Sequence, residues 1–529
     1  MTATLEREAA IAAVLERRVQ AATLAREASL AARVERQAAE QAWVDREFRA
    51  ITGHLYAKPS WLEDGVELTV TDLFCGAGGS SSGLESVPGI RVVMAVNHSA
   101  VALETHQHNF PHVDHDRQDV HEADPRRYPT TDILWASPSC TFFSQASGRP
   151  LDFTDQATDP TLFDLDVFDD EDDEPLPEDT AERSRALMHD VPRFAEHHRY
   201  RAVIVENTLP LLRWKHLPKL IARMRNLGYR HKVLTLNSAF AHQLGRPAPQ
   251  LRNRVYIVFW LDKYKAPDFD RWTRPRAWCP TCDEVVRAIY APKNPKNPYG
   301  SYGAQYVYRC PRVSCRNAIV APFTLPAISA LDLSVPADPI GDRLVPGTRA
   351  RIAKWLQTNP RPVDLGRGGS HHQLNPMAVI PLRNHNVAKH PMEPLDTFAA
   401  RGTHHAIAML MRTKTPAANP GNALWNPDYL YAYDTGRLRS AYQPLPTQTT
   451  VEGDAVLEQR PSLEECLFRM LMVDEIKLGM AFPPTFALLG RTKALNVRLC
   501  GNAVTPNVAR DLVAAVAEAI TGNEVPVPA

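Results

Sequence analysis

The chain has 529 residues, and its 60 lysines and arginines balance 60 aspartates and glutamates. That length exceeds one ordinary core and predicts two or three domains, while the zero net charge excludes reading partners from bulk charge and leaves only local clusters to interpret. The absence of any apolar run of about 18 residues, the charged start "MTATLEREAA" and only eight cysteines exclude a membrane helix, a signal peptide and a secreted disulfide framework, and predict a cytoplasmic protein with reduced thiols.

Residues 1–58 read as a helical extension. Ala, Glu, Arg and Leu dominate its first part, and Ile11, Val14 and Leu15 recur at helical spacing. From Leu68 the pattern changes. "LTVTDLF", "IRVVMAVN", "TDILWASP", "YRAVIVEN" and "RVYIVFWL" predict strands, with helices at "SAVALETHQHNF" and "LPKLIARMRNLG". Strand and helix alternate, which predicts an α/β domain over residues 66–262 built on a doubly wound parallel sheet. Residues 152–182 interrupt it with "DDEDDEPLPED", whose charges repel one another and predict a solvated insert. Residues 263–462 are proline-rich and irregular and read as a separate recognition module. Residues 463–529 end in the amphipathic "VARDLVAAVAEAI", which predicts a return to the first domain. The related phrases "EPLDTFAA" and "QPLPTQTT" are too few copies for a solenoid.

Four short stretches hold candidate chemistry. "DLFCGAGG" (72–79) is a glycine-rich turn after a strand, and it suits a bound ligand or a plain tight turn equally well. In "SPSC", Cys140 follows a strand at the sheet edge where ligands gather. A thiol there acts as a nucleophile if its proton is removed. "VIVENT" places Glu206 at the end of another strand, on the same rim if the sheet is parallel. "QLRNR" (250–254) carries Arg252 and Arg254 two positions apart, aimed at one spot and suited to a phosphate or a polarised carbonyl.

Together with "PSCTFFS", "VDEIKLGMAFP" and "GNAVTP", and in this order, these pieces resemble the DNA cytosine-5 methyltransferase family over residues 69–261 and 464–520. The resemblance implies a Rossmann-like methyltransferase sheet with a smaller irregular target-recognition domain. It also implies that a cytosine in a short specific sequence of double-stranded DNA is flipped into the pocket. Cys140 would add to C6, Glu206 would protonate or hydrogen-bond N3, and Arg252 and Arg254 would hold the base carbonyl and a nearby phosphate. S-adenosylmethionine would lie across Phe74, Gly76, Gly78 and Gly79, with Asp119 on the adenine amino group and Val120 beside it. Asn502 and Val504 would close that pocket, and Trp135 and Pro138 would wall it. The chain departs from the family at Ser139, usually Pro, at Thr141, often Gln, and at Asn97, usually an acid that binds the ribose hydroxyls. The resemblance further implies a monomer at the nucleoid of a bacterial or phage-infected cell, with room for a companion restriction enzyme. Two other readings use the same fold: an RNA cytosine-5 methyltransferase, and a DNA-binding regulator with a weakened pocket.

The module carries a signal of its own. "WCPTC" and "RCPRVSC" place two residues between Cys279 and Cys282, and four between Cys310 and Cys315. This spacing predicts a zinc-ribbon-like insert with a structural zinc ion, over residues 279–315. Arg287, Lys293, Lys296 and Arg309, interleaved with Tyr290, Tyr299, Tyr302, Tyr306 and Tyr308, predict phosphate contact and packing on bases. The paired histidines at 371–372 and 404–405 read as loop or packing residues, because no carboxylate or cysteine spacing supports a metal there.

Overall fold

The computed structural model describes residues 67–138, 187–340, 344, 346–358, 361–364, 370–373, 377–381, 393–397, 405–410 and 466–526. The predicted N-terminal helix, the acidic insert and Cys140 itself lie outside the described residues. Seven strands form the main sheet: β1 (Leu68–Leu73), β2 (Ile90–Val96), β3 (Asp114–Asp116), β4 (Ile133–Ala136), β5 (Ala202–Asn207), β6 (Tyr229–Asn237) and β8 (Asn253–Leu261). Strand β7 (Gln250–Leu251) immediately precedes β8. The sheet order is β3-β2-β1-β4-β5-β8-β6. Strands β1 to β5 pair in parallel, whereas β8 runs antiparallel to both β5 and β6. The order reverses between β1 and β4, and ligands of open α/β sheets bind beyond the carboxyl ends of the strands at such a switch point.

Both faces of the sheet are covered, as near-continuous apolar strands require. On one face Val70, Val92, Trp135, Ile204 and Val258 pack in a single core with Val508, Leu512 and Val516. Those three belong to the helix Pro506–Thr521 (α9). On the other face Leu134, Val203, Val205 and Ile257 pack with residues of α3 (Asp190–His198) and α4 (Leu217–Asn226). The remaining helices are α1 (Gly79–Leu84), α2 (Ala100–Asn109), α5 (Phe269–Thr273), α6 (Pro346–Thr358), α7 (Val473–Gly479) and α8 (Lys493–Asn502). Among the described residues no helix is long and apolar enough to cross a membrane.

The C-terminal helix does return to the main sheet, and polar side chains lock it in place. Asn507 donates from Nδ2 to the carbonyls of Ser238 (2.7 Å) and Ala241 (2.9 Å). The buried Asp511 carboxylate accepts from the backbone N–H of Gln243 at 3.0 Å. The start of "VTPNVARDL" is thus a structural clamp as well as a helix start.

The later part of the chain is less irregular than its composition predicts. It contains β9 (Arg276–Cys279), β10 (Glu284–Arg287), β11 (Ile289–Pro292), β12 (Tyr306–Arg309), β13 (Ile319–Val320) and β14 (Asp338–Pro339). Beyond these come β15 (Arg361–Asp364), β16 (Ser370–Gln373), β17 (Met377–Pro381), β18 (Leu395–Asp396), β19 (His405–Leu410) and β20 (Cys466–Met470). A four-stranded sheet runs β14-β20-β19-β17. Its β20 lies past residue 463, so this sheet draws strands from both sides of the boundary predicted there.

Candidate active site

The turn after β1 passes through left-handed backbone at Phe74 (φ 60°), Gly76 (φ 54°) and Gly78 (φ 103°). Its glycines serve different ends. A Cβ at Gly79 would lie 2.1 Å from the Val504 carbonyl oxygen, and one at Gly78 2.7 Å from the Phe110 ring, whereas one at Gly76 would meet nothing within 4 Å. Gly78 and Gly79 therefore admit other parts of the protein, and Gly76 marks the open flank. Gly83 repeats the pattern one turn on, with the Pro506 carbonyl oxygen 2.0 Å from where its Cβ would be. The "GSSSG" spacing seats α1 directly against the start of α9.

Beneath this turn Asp72 is wholly buried. Its Oδ2 accepts from Ser80 Oγ at 2.6 Å and Ser81 Oγ at 2.8 Å, while its Oδ1 has no hydrogen-bond partner among the described residues. Burial outweighs the two hydroxyls and raises the carboxyl to about 7. Ser81 Oγ also contacts His106 Nε2 at 2.9 Å, and His106 Nδ1 contacts His115 Nε2 at 2.8 Å. Burial and the neighbouring His115 lower His106 to about 3, so its ring is neutral. This chain of side chains fastens α1, α2 and β3 under the turn.

The other residues predicted for the cofactor lie along the same edge. Asn97 directly follows β2, and its Oδ1 accepts the Ser99 N–H at 2.9 Å. Asp119 Oδ1 accepts the His121 N–H at 3.0 Å, and Arg193 holds the adjoining Val120 carbonyl at 2.6 Å. Asn502 is exposed at the end of α8. Val504 is buried and meets Gly79 backbone to backbone. Trp135 is fully buried, with its Nε1 donating to Ser137 Oγ at 2.9 Å.

Glu206 ends β5, and because β8 runs the opposite way, Arg254 at its start falls at the same rim. Arg254 Nε lies 3.1 Å from Glu206 Oε1, with both side chains largely buried. Burial raises the Glu206 carboxyl above the ordinary carboxylate range, while Arg254 and then Arg252 pull it back down. Net, the fold favours a Glu206 that keeps its proton longer than a solvated one does. The two arginines do different work. Arg252 is buried and donates from Nη2 to the backbone carbonyls of Gly501 (3.1 Å) and Ala503 (2.9 Å). It thereby ties the strand start to the "GNAV" turn, whereas Arg254 keeps its Nε on the carboxylate.

A residue not singled out from the sequence completes the rim. Asn207 is fully buried and donates from Nδ2 to the Pro138 carbonyl at 3.2 Å. It fixes the chain two positions before Cys140. The only signal for it in the sequence was its place beside Glu206, in a strand too apolar to bury an amide without a partner.

The four module cysteines come together. Their sulfur atoms all lie within 4.8 Å of one another, and none is in a disulfide. In each pair the residue after the second cysteine adopts left-handed backbone: Asp283 (φ 57°) after Cys282 and Arg316 (φ 54°) after Cys315. The surrounding aromatics correct the sequence reading. Tyr306 and Tyr308 are buried with Phe240 in the module's own core, and Tyr290 and Tyr302 pack on it half-buried. Tyr306 and Tyr308 thus fold the insert and do not face outward toward bases.

A sheet of order β3-β2-β1-β4-β5-β8-β6 with one reversed strand, a glycine turn after β1 and a carboxyl near the end of β5 make up a Rossmann-like sheet of the methyltransferase fold. Residues 68–164, a span that includes Cys140, match the family model described as C-5 cytosine-specific DNA methylase. No curated protein matches the chain. Among solved structures, it is similar to a DNMT2 mutant from Spodoptera frugiperda (15% identity, TM-score 0.43, 85% of this chain and 100% of that one). It is also similar to the Dnmt2 methyltransferase of S. pombe (13%, 0.46, 86% and 99%) and to the Entamoeba histolytica methyltransferase EhMeth (11%, 0.44, 86% and 99%). A cytosine-5 methyltransferase acts on nucleic acid and draws its methyl group from S-adenosylmethionine.

Proposed function

We propose that this protein methylates C5 of a flipped cytosine in a specific sequence of duplex DNA. The observation that carries the reading is the buried Glu206–Arg254 pair at the carboxyl edge of the sheet, beside the Asn207 tie to Pro138. Cys140, as thiolate, adds to C6 and pushes an electron pair toward C5. Glu206 donates a proton or hydrogen bond to N3, so negative charge does not accumulate on the ring. Arg254 holds Glu206 in place and is positioned to bond the base carbonyl. S-adenosylmethionine, when bound, would supply an electrophilic methyl group whose leaving group is a neutral thioether. The C5 proton then leaves to a base, C5=C6 re-forms, and the thiolate is expelled.

For the cofactor, the open flank at Gly76 and the Asn97 amide just after β2 fit a nucleoside that approaches the β1 and β2 ends. Phe74 would stack on its adenine, with Asp119 and Val120 at its rim. The backbone at Gly78 and Gly79 admits Phe110 and Val504, which shape the turn.

The test is methyl transfer and tritium release from C5-labelled cytosine, with duplex DNA and transfer RNA offered in competition. Cys140→Ala is expected to lose both activities and retain DNA binding. Normal methylation by that variant overturns the mechanism, and preference for transfer RNA overturns the substrate.

A further inference from the structure

The four-cysteine cluster has the build of a metal site. A tetrahedral Zn²⁺ with sulfur ligands at about 2.3 Å separates the sulfurs by about 3.8 Å. Cys282 Sγ and Cys310 Sγ stand 4.0 Å apart, far from the about 2.0 Å of a disulfide. The Arg312 N–H points to Cys310 Sγ at 3.5 Å, the kind of contact that supports a thiolate ligand. Binding releases the four thiol protons and leaves a net charge of about −2 on the Zn(Cys)₄ group. Arg309, Arg312 and Arg316 flank the second cysteine pair in sequence, with Arg312 paired to Glu284.

The same insert carries an unusual outer face. Among the described residues five large hydrophobic side chains are exposed, and four belong here: Trp278 (44%), Val285 (49%), Val313 (82%) and Ile319 (59%). Trp278 and Val285 are directly opposed across the β9–β10 ribbon, and Arg276 and Arg287 are opposed two positions along. Ala277 and Cys279 point to the opposite, buried side. One ribbon face therefore shows an arginine pair followed by a Trp–Val pair. Arg276, Arg271 and Arg274 act electrostatically on the Arg287 guanidinium, opposed by Asp268, and of these Arg271 is paired with Glu518 and Glu524 and Arg274 with Asp270. Among the described residues Arg287 binds no carboxylate: its Nη2 donates to Gln243 Oε1 at 2.6 Å and to the Arg271 carbonyl. Such a face is complementary to an anionic partner with flat apolar rings, not to a neutral protein groove.

We propose that Cys279, Cys282, Cys310 and Cys315 bind one structural Zn²⁺, and that the ribbon it ties down presents Arg276, Trp278, Val285 and Arg287 to the nucleic-acid substrate. The second half rests on the proposed action on duplex DNA. The insert packs beside the reaction rim, because the Tyr302 N–H donates to Asn253 Oδ1 at 3.2 Å, one residue from Arg254. A contact made on the ribbon therefore lies on a body braced against the catalytic arginine.

The test uses the full chain purified without added metal. Elemental analysis should find one zinc per chain, and Cys310→Ser should lose it. Fluorescence anisotropy with a duplex should show about a 5- to 10-fold weaker affinity for Trp278→Ala and a salt slope about one unit shallower for Arg287→Gln. Absence of zinc, with all four thiols reacting independently, overturns the metal site. Zinc present with both ribbon variants binding DNA as the wild type overturns the surface, as does loss of a dimer in Trp278→Ala, which would make the face a protein contact. If the wild type transfers no methyl group yet binds zinc and duplex through the ribbon, the proposed reaction fails and this inference stands.

Discussion

Replacing Arg254 by Met tests the buried pair at the rim directly. The change keeps most of the volume and removes the charge. Nε lies 3.1 Å from Glu206 Oε1, so charges about 4 Å apart at an effective dielectric constant of about 20 attract by about 4 kcal/mol. That attraction exists only while Glu206 is ionised. The folded carboxyl is raised above its unfolded value, so the neutral form is favoured in the fold and stability falls as pH rises through the folded pKa. Without Arg254 the pKa rises further, and the loss continues to higher pH. Chemical denaturation should show Arg254→Met close to wild type in acid, within about 1 kcal/mol, and about 3–5 kcal/mol less stable in alkali. In a Glu206→Gln background the alkaline difference should disappear, which makes the coupling measurable as a double-mutant cycle. Activity reports the same pair: the alkaline limb of kcat, where Glu206 loses its proton, should move to higher pH in Arg254→Met. A coupling that is below about 1 kcal/mol at every pH, or a limb that moves toward acid, would refute the pairing.

Two further outcomes follow from the turn after β1. Gly79→Ala, with a Cβ 2.1 Å from the Val504 carbonyl oxygen, should destabilise the fold by about 1–3 kcal/mol or more. Gly76→Ala, at φ 54° with open space around it, should cost only about 1 kcal/mol but weaken S-adenosylmethionine binding, as read by calorimetry. Equal effects on stability would contradict the division of labour between the glycines. Asp72 is raised to about 7, so its contribution is full below its unfolded value and is lost as pH rises toward 7. Relative to Asp72→Asn, the wild type should lose about 3 kcal/mol between about pH 5 and about pH 8, measured by urea denaturation at each pH. A pH-independent difference would show the carboxyl to be ionised throughout.

The core strands were legible because they are apolar on both faces and bounded by glycine or helix signals, although the sequence did not show that β8 runs antiparallel. "YRAVIVEN" and "RVYIVFWL" became β5 and β8 nearly as written. Strand β3, "DHD", has no apolar residue, and β6, "YRHKVLTLN", alternates with charged residues. Nothing local marks either one, and sheet pairing made them strands. The sequence could place Arg252 and Arg254 on one face, but whether a guanidinium meets a carboxylate or a backbone carbonyl depends on which loop returns to it. Here the returning turn is Gly501–Ala503, about 250 residues later. The tyrosines of the insert failed for a related reason. Basic and aromatic interleaving describes a stacking surface and a small core equally well. Only burial tells them apart, and Tyr306 and Tyr308 are buried. The cysteine spacing needed no such context, since a tetrahedral ligand set is set by short-range geometry.

The reversed strand explains why "QLRNR" precedes its strand while the other chemistry follows one. In a parallel sheet every carboxyl end opens on the same rim, so Gly76, Asn97 and Pro138 come after β-runs and Glu206 stands in the last two residues of one. A cation placed after a sixth parallel strand would reach that rim too, but from the sheet's far edge. Inserting β8 antiparallel beside β5 instead puts its first residues directly against the end of β5, in register at Asn207↔Val255. Arg254 then meets Glu206 across a single strand spacing. Asn253, beside it, accepts hydrogen bonds from Asn237 of β6 at 2.9 Å and from Tyr302 of the insert at 3.2 Å. The side-chain pair that sets the proton on Glu206 is therefore held by the same few residues that anchor the cysteine module. A disturbance of that module should reach the reaction as a change in how readily Glu206 holds its proton.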